Sequence, residues 1–291
     1  MDLREADKIR RAFYQIDRPS EDDIFMFTEA MNFLIDSTHN SEYMLELGGM
    51  YYGARHFDQA LKYYDMSCSY GNSEAAICLG YIWYYGRTGE KDYQKAFKYF
   101  SRGMELGDPV ATYKVADMYK NGYYVEKDAD RYKTIMEDLY LKYKDSRRGP
   151  LADIFTRIAR IRVEEGRITD ALLLYDRSRK ILAHKLIRNS FFGDLNVMKW
   201  TTEAIYELRD FDKNDIDLYD LYYLLKEPVT VRFRFEDRPY EVKAVAEDGE
   251  TVICFGDKWY RTTDDFFKKA SIGDYLLTTL YDELEDFEVT E

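Results

Sequence analysis

A set of residue types recurs along this chain at a nearly fixed interval, and that recurrence limits the fold more than any single motif. Ala60, Tyr64, Gly71, Ala75, Leu79 and Gly86 return 36 residues later as Ala96, Phe100, Gly107, Ala111, Val115 and Gly122. An earlier copy is offset by 32: Asn40-Ser41-Glu42 reappears as Asn72-Ser73-Glu74, and Leu47-Gly48 as Leu79-Gly80. A later copy lies 111 residues on, three periods of 37. There Ala60, Tyr64-Asp65 and Ser67 become Ala171, Tyr175-Asp176 and Ser178. Repeats of this length are single supersecondary units that bury their apolar faces only against neighbours.

Each unit reads as two helices. The first carries an aliphatic residue, a small residue and an aromatic at i, i+1 and i+4: Leu47, Gly48 and Tyr51; Leu79, Gly80 and Trp83; Val115, Ala116 and Tyr119. The small residue lets two helix axes approach, and the aromatic lies on the same face. A glycine turn (Gly53, Gly86, Gly122, Gly166) then reverses the chain through a positive φ. The second helix carries Ala60, Ala96 or Ala171 with an aromatic four residues later. Only 5 prolines occur, as a mostly helical chain requires.

These residues resemble the tetratricopeptide and Sel-one-like repeat superfamily over about residues 40–185. The tetratricopeptide pattern falls on Leu47, Gly48, Tyr51, Ala60 and Tyr64, and again on Ile158, Ala159, Gly166, Ala171 and Tyr175. In both copies the aliphatic residue and the alanine are 13 apart, whereas Leu79 and Ala96 are 17 apart. That four-residue insertion, Gly86 to Lys91-Asp92, is similar to the Sel-one-like turn. The third unit keeps the turn from Gly122 to Lys127-Asp128, but Tyr132 stands where alanine is expected and Tyr143 where glycine is expected. Cysteine-rich relatives tie each hairpin with a disulfide. Cys68 resembles their first cysteine, but the partner position is Ala76, so Cys68 and Cys78 read as small buried thiols.

The implied fold is mainly α: an α-α superhelix (a tetratricopeptide/Sel-one-like solenoid) followed by a small α+β domain with an antiparallel sheet. Residues 1–210 form the solenoid, with units near 40–71, 72–107, 108–145 and 151–185. Phe25 to Ser37, Phe191 to Leu208 and Ile216 to Leu225 are further helix candidates, and Glu227-Pro228 ends the helical region. Residues 211–291 form a linker helix and the α+β domain. Val229, Val231, Phe233 and Phe235 alternate with polar residues as a half-buried strand. Arg238-Pro239 marks a turn, and strands follow over Tyr240–Val245, Thr251–Phe255 and Lys258–Arg261, with Asp248-Gly249 as a hairpin signal. Asp264–Ala270 and Tyr275–Leu284 read as helices. A sheet this small needs the last solenoid helices to pack on.

Apolar residues make up 46% of the chain, enough for a core, and no transmembrane run or signal peptide is visible. Three cysteines give no disulfide framework, so the expected location is cytoplasmic. No zinc, phosphate-loop, dinucleotide or nucleophile-elbow motif occurs, and the three histidines (His39, His56, His184) read as surface or turn residues. No cofactor, metal site or catalytic residue is expected, and the chain reads as non-enzymatic. A metal-dependent nuclease built from Asp217, Asp220, Glu241 and Lys243 is a minor alternative.

In tetratricopeptide repeats the first helices line a concave groove. The resemblance therefore implies a scaffold or adaptor that binds a peptide or protein partner there. The matching positions are Tyr52, Ile77, Tyr81, Tyr84, Tyr113, Asp117, Lys120, Thr156 and Arg160. Of these Tyr52, Tyr81, Tyr84, Tyr113, Asp117, Lys120 and Arg160 are the partner-binding candidates. Tyrosines 81, 84 and 85 suit peptide capture, or else pack between hairpins. An alternative is a regulatory or immunity-type protein that recognises its target through the α+β module. The net charge is −13, yet residues 142–188 sum to +7. The acidic balance makes nucleic acid an unlikely partner. The basic segment (Arg147, Arg148, Arg157, Arg160, Arg177, Lys180 and others) could meet an acidic peptide, RNA, or the chain's own acidic end, Asp282 to Glu288.

Overall fold

The computed structural model describes residues 1–146, 150–188, 192–213, 215–247 and 250–290. It divides into two compact units, Met1–Leu139 and Tyr140–Glu291.

The first unit is built of helical hairpins: α1 (Leu3–Phe13) with α2 (Glu21–Thr38), α3 (Ser41–Gly53) with α4 (Phe57–Ser69), α5 (Ser73–Tyr85) with α6 (Tyr93–Glu105), then α7 (Pro109–Asn121) and α8, which spans Ala129–Tyr143 and so runs on past the unit's end. The short motifs between apolar positions prove to be caps. Asn40 accepts from the Glu42 amide at 2.9 Å and Asn72 from the Ala75 amide at 3.0 Å. The Lys-Asp pairs end in N-caps too, with Asp92 accepting from the Lys95 amide and Asp128 from the Arg131 amide. Gly86 (φ 65°) and Gly122 (φ 71°) close α5 and α7 in the left-handed region. Gly53 does not share that role. α3 runs through it, and the left-handed residue of that turn is Arg55 (φ 62°).

The two halves of the repeat signature fit into each other. A Cβ on Gly48 would lie 2.6 Å from the Tyr64 ring, and one on Gly80 would lie 2.4 Å from the Phe100 ring. The small residue of the first helix is thus the seat of the aromatic that follows the alanine in the second. In the third unit Tyr132 and Met136 take the alanine and aromatic positions, and both are buried. The recurring serine makes a recurring bond: Ser67 Oγ donates to the Ser41 carbonyl at 2.8 Å, and Ser178 Oγ to the Ala152 carbonyl at 3.0 Å. Cys68 and Cys78 are free thiols, and burial pushes Cys78 up to about 11.

The second unit holds α9 (Leu151–Glu164), α10 (Ile168–Arg188) and α11 (Phe192–Leu208). Then come a 3-10 turn at Leu218–Asp220, α12 (Leu221–Leu224) and a five-stranded antiparallel sheet. Its strands are β1 (Val229–Phe235), β2 (Arg238–Glu247), β3 (Glu250–Phe255), β4 (Lys258–Tyr260) and β7 (Glu285–Thr290), ordered β4-β3-β2-β1-β7. Between β4 and β7 lie α13 (Thr263–Lys269) and the small β5/β6 ladder (Ser271–Ile272, Tyr275–Leu276). One core joins Leu182, Leu186, Leu195 and Met198 to Phe233, Val242, Ile253 and Phe267, so the sheet leans on α10 and α11.

Four local expectations are corrected. The β1–β2 turn is Glu236-Asp237, both at positive φ (48° and 60°), and Arg238-Pro239 starts β2. Proline fits there because Arg234 and Pro239, one step beyond the pair that closes the turn, form a non-hydrogen-bonded pair, and β3 does not reach residue 239. The helix expected at Ile216–Leu225 is a 3-10 turn followed by one turn of α-helix. That expected at Tyr275–Leu284 is the end of a ladder followed by a 3-10 helix, Leu277–Glu283. Of the acidic end, Glu285, Asp286 and Glu288 do not lie on the basic segment but become part of β7 beside β1, with Asp286 3.1 Å from Arg234, whereas Asp282 and Glu283 end the 3-10 helix that packs against α10. The Asp248-Gly249 signal and Arg147 and Arg148 lie outside the described residues.

Candidate functional site

The first unit gathers most of the expected partner-binding residues. Tyr52 is on α3, Tyr81 and Tyr84 on α5, and Tyr113, Asp117 and Lys120 on α7, the first helices of successive hairpins. Tyr81 stacks on Tyr85 at 5.8 Å, and Tyr84 meets Tyr85 edge-on at 5.1 Å. Tyr84 also touches Tyr93 (5.4 Å) and Tyr123 (6.0 Å), which stack on each other at 4.6 Å. Lys114 Nζ stands 5.2 Å from the Tyr81 ring and 5.4 Å from Tyr113. Tyr52, Tyr81, Tyr84, Asp117 and Lys120 are half-buried, Tyr85 is 49% exposed, and Tyr113 is only 5% exposed. Tyr113 is therefore a floor of this face, while Tyr81 and Tyr85 form its accessible part. Lys114, Tyr93 and Tyr123 join it without having been expected. The i, i+3, i+4 spacing at 81, 84 and 85 was visible, but the cross-hairpin partners were not.

Packing tyrosines this closely changes their acidity. Burial first, and then neighbouring Tyr123, Tyr85, Tyr93 and Asp117, push Tyr84 from 10.0 up to about 12. The folded state then keeps a proton that the unfolded chain loses between about pH 10 and pH 12, so this contribution to stability is complete below pH 10 and is lost as pH rises through that window. The difference in phenolate absorbance between the wild type and Tyr84→Phe should show one tyrosine titrating near the upper limit of that window, and the substitution should flatten the alkaline loss of stability.

In the second unit Arg160 is exposed on α9 and hydrogen-bonds Tyr175. It lines a cleft of about 300 Å³ with Trp200 (49% exposed), Glu203 and Glu207. Thr156 is buried, bonded to Ser178 (2.9 Å) and Thr201 (3.1 Å). Much of the basic segment is consumed locally: Arg157 by Asp153, Arg162 by Glu165, Arg167 by Asp170 and Lys185 by Asp194. Arg177 lies over the Phe155 ring.

The nuclease alternative loses its geometry. Asp217 and Asp220 both grip Arg179, whereas Glu241 pairs with Arg232 (2.9 Å) and Lys243 (2.6 Å) on the open face of the sheet. Lys243 first, then Arg232, holds the Glu241 carboxyl below the usual carboxylate range. Among the described residues no group of three or more His, Cys, Asp or Glu could hold a metal ion.

What characterises the hairpins is the combination of the small-residue seat with the long turn from Gly86 to the capping Asp92. Their form is Sel1-like. Among solved structures, a Sel1 repeat protein from Oxalobacter formigenes is similar at 18% identity, over 69% of this chain and 78% of that one, with a TM-score of 0.49. The protein c5321, a protective antigen of uropathogenic Escherichia coli with an SLR fold, is similar at 16% identity over 65% of this chain and 46% of that one, TM-score 0.45. MamA is similar at 17% identity, over 61% of this chain and 93% of that one, TM-score 0.39. No family model matches the chain, and no curated protein does. No helix among the described residues is long and apolar enough to cross a membrane.

Proposed function

We propose that the chain is a protein-interaction scaffold, and that the tyrosine face across the first helices of its Sel1-like hairpins binds a peptide or protein partner. The carrying observation is the density of half-exposed aromatics there: Tyr81, Tyr84 and Tyr85, braced by Phe100 and by each other, with Tyr52 on the preceding hairpin. Tyrosine combines a rigid apolar body with a polar tip at low entropic cost, the properties of an interface hot spot. The sequence resemblance to tetratricopeptide repeats supports the same role.

The test is selection of phage-displayed random peptides on the immobilised full-length chain. Peptides should be enriched, and Tyr81→Ala and Tyr85→Ala should each weaken their binding about tenfold. Failure to enrich any peptide, or affinities indifferent to both substitutions with unchanged circular dichroism, would overturn the reading.

A further inference from the structure

We propose that the tyrosine face continues into a cationic cleft at the hairpin turns, and that the two together take an acidic peptide segment whose carboxylates sit at Arg55 and Arg87. This rests on the face being a partner-binding surface and adds the chemistry of the partner.

The cleft holds about 440 Å³ and is lined by Arg55, His56, Phe57, Asp58, Arg87 and Thr88. Arg55 belongs to the turn between α3 and α4, and Arg87 to the turn between α5 and α6, so two successive hairpins contribute one guanidinium each. The link to the tyrosines is direct. Arg87 Cζ lies 5.4 Å from the centre of the Tyr85 ring, which in turn meets Tyr81 and Tyr84. On the other side Tyr52 packs edge-on against Phe57 of the cleft wall at 5.5 Å.

Charge selects the occupant. The chain has 55 acidic and 42 basic residues, so a cation has no shortage of carboxylates to pair with. Arg10, Arg102, Arg157, Arg162, Arg167, Arg179, Arg232 and Arg234 all do so. Arg55 and Arg87 are exposed, and among the described residues neither enters an ion pair. One carboxylate, Asp58, shares the cleft with the two guanidiniums. Guanidinium forks bind carboxylates through paired, charge-assisted hydrogen bonds, which gives this end of the face a preference that tyrosines alone do not have.

The experiment repeats the peptide selection on the full-length chain and on its Arg55→Glu/Arg87→Glu variant, with circular dichroism melts to confirm that both fold alike. The wild-type pool should be enriched in Asp and Glu over the input library. A synthesised acidic binder should lose at least tenfold in affinity on the variant, and its Glu→Lys counterpart should recover it there. Wild-type binders of input-like acidity, or acidic binders indifferent to the reversal, would overturn the proposal. So would a labelled oligouridylate that binds more tightly than the acidic peptide. Binders that need Tyr81 and Tyr85 but not the arginines would leave the tyrosine face standing and remove only its acidic specificity, whereas binders that need neither would remove both.

Discussion

Arg179→Ala should lower the unfolding free energy of the second unit by about 3–5 kcal/mol, the usual cost of stranding buried charge by removing its partner. Arg179 is only 8% exposed, with Nη1 2.8 Å from Asp220 and Nη2 2.6 Å from Asp217. Tyr206 donates to Asp220 at 2.7 Å and Tyr281 to Asp217 at 3.0 Å, so one guanidinium ties α10 to α11, the connection after it and the 3-10 helix before β7. Burial alone would pull the arginine's pKa down, but Asp217 and Asp220 hold it above its ordinary value. Asp220 is 2% exposed, whereas the Asp217 side chain keeps 35%, so Asp220→Ala should cost more than Asp217→Ala. Replacing the three together, Arg179→Met with Asp217→Asn and Asp220→Asn, should restore much of the loss, because no charge is then left unpaired. Urea unfolding followed by tryptophan fluorescence in a Trp83→Phe background reads this unit alone, since Trp200 and Trp259 both belong to it. A loss below about 1 kcal/mol would show that water replaces the arginine without penalty.

The second large effect lies in the first unit. Phe100→Ala should cost about 3–5 kcal/mol, because a fully buried ring leaves a cavity that two packed helices close only in part. Gly80→Ala should also destabilise, by about 1–3 kcal/mol, although alanine is the better helix former by about 1 kcal/mol. Its Cβ would come within 2.4–2.9 Å of three atoms of the Phe100 ring, and a buried ring has nowhere to swing. The two sites should therefore couple. In Gly80→Ala/Phe100→Leu the added carbon occupies space the ring has left, and the double variant should be more stable than the sum of the single changes implies by about 1 kcal/mol or more. Additive effects would mean that the two residues do not share that space.

Local signals made the hairpins legible. The spacing of Leu79, Gly80, Ala96 and Phe100 marked both helices and their contact, and the residues from Gly86 to Asp92 marked the turn. What was missed depends on residues far apart in sequence. Nothing near Arg179 announces that it will meet Asp217 and Asp220. Lys114 and Tyr123 reach Tyr81 and Tyr84 only once hairpins stack, and Tyr93 reaches Tyr84 only once α6 folds back on α5. Some local readings failed because two structures share one pattern. Leu277, Leu280 and Leu284 satisfy a helical period, but the chain there winds as a 3-10 helix, whose three-residue repeat aligns the first two as well. The acidic Glu285–Thr290 read as a charged tail, although Phe287 and Val289 alternate as a strand should, and β1 supplied the edge that made them one.

The seating of Tyr64 in Gly48 and of Phe100 in Gly80 joins the two helices of the same hairpin, not neighbouring hairpins. Each hairpin thus carries both members of its own contact. It could be duplicated, exchanged or lengthened at its turn as one cassette without parting them.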